Sequence, residues 1–168
     1  MLIQYKTGNL KSSNVDKGKI DCLELDWYET TKRILRKRTR AGKEVSLKFL
    51  NENPALTEGD ILYEDEQTVI AVTILSCDAI VVKPANMFEL ASVCYEIGNR
   101  HLPLFHENDD LLVPFEIPLF RLLELQGYDV RREERKLLEP LKTTVSPHAQ
   151  LTGESLFSKI MKQTATDE

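Results

Sequence analysis

The sequence predicts an α+β chain: an all-β N-terminal part over 1–76, a β-α-β-β-α-β unit over 77–142, and a flexible tail over 143–168. Three observations carry this. Period-two apolar patterning, punctuated by Gly and Pro, fills the first 75 residues without a convincing helical stripe. From Ser76-Cys77-Asp78 onward, short apolar runs alternate with segments that carry helix-capping signals and a 3.6-residue period. After Pro140 the apolar periodicity stops, and Ser, Thr, Pro and Gly become frequent.

Each element follows from its residues. Positions 2–5 (LIQY) and 19–28 (KIDCLELDWY) favour strands, the second alternating Ile20, Cys22, Leu23, Leu25 and Trp27 with charges. Ile34, Leu35 and Thr39 lie amid basic residues before the turn Arg40-Ala41-Gly42-Lys43. Val45, Leu47 and Phe49 then alternate with Ser46 and Lys48 as a half-buried strand. Pro54 and Gly59-Asp60 mark a loop, and 61–75 reads as two strands joined by an acidic turn at Asp65–Gln67. That makes six short strands.

In the second part, AIVV at 79–82 is a fully apolar strand. Asn86 is placed to cap a helix, with Glu89 three residues on. Met87, Leu90, Ala91, Cys94 and Ile97 form its expected buried stripe, and Gly98 its expected stop. LPLF at 102–105 and LLVPF at 111–115 flank an acidic turn over 107–110 and read as a hairpin. Pro118 opens a second helix with Leu119, Leu122, Leu123 and Gln126 on one face, Gly127 closes it, and 128–134 supplies a last strand. That order is the ferredoxin-like pattern.

Composition narrows the function. Hydrophobic residues make up 42% and charged residues 29%, an ordinary balance for a folded domain. The longest uncharged stretch, between Glu66 and Asp78, falls short of the roughly 20 residues a bilayer requires, so no membrane partner is expected. The N-terminal MLIQYKTGNLK lacks the pattern of a secretory signal, which leads to a cytoplasmic expectation. Cys22, Cys77 and Cys94 contain no CxxC pair and read as small buried hydrophobes in a reducing compartment. No GxSxG, P-loop, GxGxxG or HExxH occurs in the sequence, and the expectation is a protein that is not an enzyme.

Two features stand out against that background. The three histidines are His101, His106 and His148. Imidazole binds nickel, copper and zinc, and one histidine per chain builds a site when two chains meet symmetrically. His101 follows Gly98-Asn99-Arg100, His106 sits in the polar FHENDD stretch where exposure is expected, and His148 lies in the tail. The second feature is the run 32–43, KRILRKRTRAGK, with seven cations and no acid in a chain of net charge −5. Such a strand docks an acidic surface or nucleic acid, so a nucleic-acid or ribosome-associated module is the alternative reading. The run holds no aromatic residue to stack bases, and the overall acidity opposes that alternative.

YEIGNRHLPL at 95–104 resembles the signature of the UreE urease accessory proteins, the nickel metallochaperones. KRILRKRTRAGKEVSLKF, LTEGDILYEDEQTVIAV and VSPH agree in order, so the resemblance spans about residues 1–150. It implies an N-terminal β domain that engages partner proteins and a ferredoxin-like, metal-binding domain that forms a homodimer. It further implies that His101 of each chain meets its mate near the two-fold axis and holds one Ni²⁺, with zinc as a competitor. His148 matches the single tail histidine of relatives with sparse tails and would close over the ion. The His-x-His pair of some relatives falls here on Phe115-Glu116-Ile117 and is missing. The partners implied are the urease accessory GTPase and the apo-urease complex, with no nucleic acid.

Overall fold

The structure, a computed structural model, describes residues 1–50 and 54–141. The expected tail and His148 lie outside the described residues. The first part contains β1 (Leu2–Ile3), β2 (Gly8–Asn9), β3 (Ile20–Leu25), β4 (Ile34–Arg38), β5 (Glu44–Lys48), β6 (Asp60–Glu64) and β7 (Val69–Ile74). β1, β5 and β4 form one sheet, and β2, β6, β7 and β3 form another. Leu23, Leu25, Val72 and Ile74 of the second sheet pack against Ile3, Val45 and Leu47 of the first, so the two sheets enclose one core.

The second part contains β8 (Ser76–Val82), α1 (Met87–Asn99), β9 (Phe105–Glu107), β10 (Asp110–Pro114), α2 (Ile117–Leu125) and β11 (Val130–Lys136). Its sheet runs β11-β8-β10-β9, with every neighbouring pair antiparallel. This is the expected split β-α-β arrangement, and the α+β expectation holds. The apolar run at 79–82 now has its explanation. Ile80 and Val82 face the helices with Val93, Ile97, Leu119 and Leu123, while Ala79 and Val81 pack with Phe105, Leu112 and Leu137 on the other face. A strand buried on both faces cannot alternate.

Several expectations are corrected. The run 19–28 is a strand only to Leu25, because Asp26 opens a short 3₁₀ turn over Trp27–Glu29. That turn carries Trp27 across to the second part, where its ring meets Phe105 edge-on at 5.6 Å. β2, only two residues long and paired with β6, is a seventh strand beyond the six expected. β9 begins only at Phe105, leaving 102–104 outside the strand. On α1, Val93 and Ile97 are buried and Leu90 and Cys94 half-buried, whereas Met87 is 76% exposed and Ala91 also faces outward. Asn86 does cap α1, its Oδ1 accepting from the Phe88 and Glu89 N–H groups. Pro118 sits in the first turn of α2, and Gly127 takes φ +80 after its end.

Among the described residues, no helix is long and apolar enough to cross a membrane.

Candidate functional site

The end of α1 departs from expectation in an informative way. Gly98 does not stop the helix: α1 runs on through Asn99, and Arg100 is its C-cap. The left-handed residue is His101, with φ +54. Its N–H donates to the Gly98 carbonyl at 3.0 Å, and the Leu102 N–H reaches back to the Ile97 carbonyl at 3.3 Å. This double closure is the Schellman motif, whose left-handed position is usually glycine. A residue with a β-carbon is disfavoured there by about 1–2 kcal/mol, although histidine tolerates it better than most. A strained position held by an exposed imidazole suits a functional group.

His101 also helps to line an apolar cavity of about 640 Å³ together with Trp27, Cys94, Ile97, Leu104, Pro140 and Leu141. The cavity lies where the 3₁₀ turn of the first part meets the C-terminal end of α1. Cys94 is half-buried in its wall, and burial pushes the thiol up from its ordinary range. Cys77 is shifted the same way, first by burial and then by the charges of Asp26, Asp78 and Glu134. Both behave as the expected small hydrophobes rather than as reactive thiolates.

His106 is elsewhere. It lies on β9 rather than in a turn and is exposed as expected, with Nε2 3.7 Å from the Glu139 carboxylate. At the position aligned with the missing His-x-His pair, the Phe115 ring lies under the Arg132 guanidinium, 4.2 Å from its centroid. Glu116 follows as the N-cap residue of α2. Among the described residues no three His, Cys, Asp or Glu side chains gather as a metal cluster. A cation at His101 therefore needs ligands from a second chain or from beyond Leu141.

The basic run is less cationic than its sequence. Lys37 points inward to the buried Glu29, Lys32 lies 3.7 Å from the same carboxylate, Arg38 pairs with Glu44, and Arg40 with Glu24. Four of seven cations are thus paired with acids outside the run, leaving Arg33, Arg36 and Lys43 exposed without a carboxylate partner among the described residues. Burial pushes the Glu29 carboxyl up, but hydrogen bonds from Lys37 and the Asp26 N–H, with the Lys37 and Lys32 charges, outweigh it and hold it below its ordinary 4.5. Asp60 follows the same pattern: burial is outweighed by hydrogen bonds from Asn9, the Thr57 N–H and Lys6, so it titrates below its ordinary 3.8. Both groups bind protons more readily in the unfolded chain. Their stabilisation is present above the ordinary carboxylate values and disappears as pH falls through the depressed folded ones. Melting temperature should therefore drop steeply between about pH 5 and pH 3, and Glu29→Gln should flatten that slope. An unchanged slope in the variant would contradict the assignment.

Sequence reasoning missed two features. One is the cavity, since nothing local links Trp27 to Pro140 and Leu141. The other is an exposed apolar strip on α1, with Met87 at 76%, Phe88 at 87% and Tyr95 at 70% exposure, and Ala91 between them. Its signal was legible: apolar residues cover more of the helix circumference than the roughly 100° stripe one core requires.

Comparison with known proteins covers nearly the whole chain. The family model for the N-terminal domain of the UreE urease accessory protein matches residues 3–75, and that for the C-terminal domain matches 77–151. The urease accessory protein UreE of Flavobacterium johnsoniae is 45% identical over 96% of this chain and 98% of its own length. That of Acetivibrio thermocellus is 40% identical over 84% of this chain and 92% of its own. The Helicobacter acinonychis protein is 37% identical over 96% of this chain and all of its own.

Proposed function

The chain belongs to the UreE family of urease accessory proteins, and on that premise we propose that it is a Ni²⁺ carrier for assembly of the urease metallocentre. The role is that of a carrier rather than an enzyme, working in the cytoplasm. The ion is its cargo, held between two copies by His101 of each. The observation that carries this reading is the position of His101. An exposed imidazole stands in a strained left-handed cap at the end of the helix that bears the exposed strip Met87, Phe88, Ala91 and Tyr95. Pairing two copies with their α1 helices parallel along that strip covers the apolar residues and brings two helix ends, with their histidines, together.

Two imidazoles leave coordination positions open, which suits a carrier that must give up its ion. His148, from the chain beyond Leu141, is a third ligand in this reading. Nickel accepts such mixed nitrogen and oxygen sets, and zinc competes for them. Binding through imidazole requires its neutral form, so affinity falls in acid. Calorimetric titration combined with native mass measurement tests the reading. One Ni²⁺ per two chains is the expected result. A monomer that binds one ion per chain, or no binding at all, would overturn it.

The N-terminal β part then meets the partner proteins, the urease accessory GTPase and the apo-urease complex. Arg33 and Arg36, on either side of Ile34 at 64% exposure, are two of the run's cations open to such contacts. Reversing both to Glu should slow association with an acidic maturation partner several-fold, and added salt should have the same effect on the wild type. Equal association rates at low salt would reduce the strand to a protected sheet edge. The neutralised cations count against the nucleic-acid alternative, because a phosphate-binding surface needs them unpaired.

A further inference from the structure

We propose that the chain's own segment 151–161 seats in the apolar cavity beside His101. Leu141, the last described residue, is part of the cavity wall and 51% exposed, and its N–H is tied to the Leu104 carbonyl at 2.7 Å. The chain therefore enters 142–168 from the lip of the cavity itself. Beyond it, Leu156, Phe157, Ile160 and Met161 recur at i, i+1, i+4 and i+5, while Ser158, Lys159, Lys162 and Gln163 fill the opposite arc. That is an amphipathic helical pattern with one apolar face. So short a helix is marginal alone in water and requires a surface to stabilise it. The cavity offers that surface: apolar side chains of both parts of the protein, reached from outside past Gly98, His101 and Leu141.

The segment is favoured over a second copy as occupant because its attachment point is already at the cavity. Tethering of this kind gives an effective concentration of about millimolar order, without any intermolecular association. The seating itself does not depend on metal.

Trp27 is the only tryptophan of the chain and lines the cavity, so its fluorescence reads occupancy in metal-free protein. The full chain is compared with the double variant Phe157→Asp/Ile160→Asp and with a chain ending at Gln150. Both altered chains should shift Trp27 emission to the red and raise its quenching by acrylamide by at least twofold. A synthetic peptide of residues 151–163 should reverse both changes in the shortened chain and saturate. Identical emission and quenching in all three proteins would overturn the proposal, as would emission that follows protein concentration instead of the presence of the segment. Because no metal is present, such a failure leaves the nickel reading untouched, and loss of nickel binding in a His101 variant leaves the seating untouched.

Discussion

Replacing His101 with glycine is expected to abolish tight nickel binding while leaving the fold as stable as before or slightly more so. The two effects have separate causes. The substitution removes one imidazole from each chain and hence two ligands from a site shared by two copies. Disturbing even the groups that support a ligand weakens metal binding about 10–100-fold, so losing two ligands should exceed 100-fold. The backbone gains instead, because His101 occupies φ +54, where glycine carries no β-carbon penalty. His101→Ala should lose the metal equally and melt lower than His101→Gly, by the roughly 1 kcal/mol that separates alanine from glycine in this conformation. Titration calorimetry and thermal melts on the three proteins decide it. Unchanged nickel affinity in the glycine variant would remove His101 from the site, and a large loss of stability would contradict the left-handed cap.

Ile97→Ala should produce the largest loss of stability. Ile97 is 1% exposed and packs among Ile80, Val82, Val93, Leu104, Leu119 and Leu123, between α1, α2 and their sheet. Truncating such a side chain costs about 2–5 kcal/mol, the removed contacts plus the void left behind. In a chain of this size that corresponds to a melting temperature lower by roughly 5–15 °C. Ile97 also forms part of the cavity wall, and its carbonyl receives the Leu102 N–H, so the His101 turn should loosen with it. Met87→Ala is the control. Met87 lies ten residues earlier on the same helix but is 76% exposed, so monomer stability should change by less than about 0.5 kcal/mol. Only the dimer equilibrium should respond. Similar losses in both variants would mean that the arc of α1 facing the core is misassigned.

Much of this protein was determined by sequence acting over a few residues. Asn86 caps α1, Pro118 opens α2, Gly127 closes it, and the apolar run at 79–82 forms a strand, because capping, fixed φ and patterning operate within one turn or one strand. The GNRH motif was legible as a family resemblance, whereas the exposure and left-handed backbone of His101 were not.

What tertiary structure decided involves residues far apart in the chain. Gly98 could have ended α1, yet the Ile97 and Gly98 carbonyls close the helix at Leu102 and His101, which gives the left-handed position to a histidine. Period alone allowed Met87 and Ala91 inside; packing against β8 and β10 selected Val93 instead. The basic run lost its uniform charge because Lys37 and Arg40 meet Glu29 and Glu24, acids that β-sheet folding brings to them. Trp27 reached the cavity only because a 3₁₀ turn carries it across to Phe105. Periodicity states that a residue is apolar or charged. Which partner it meets depends on long-range contacts, and the chemistry of a site follows from those partners.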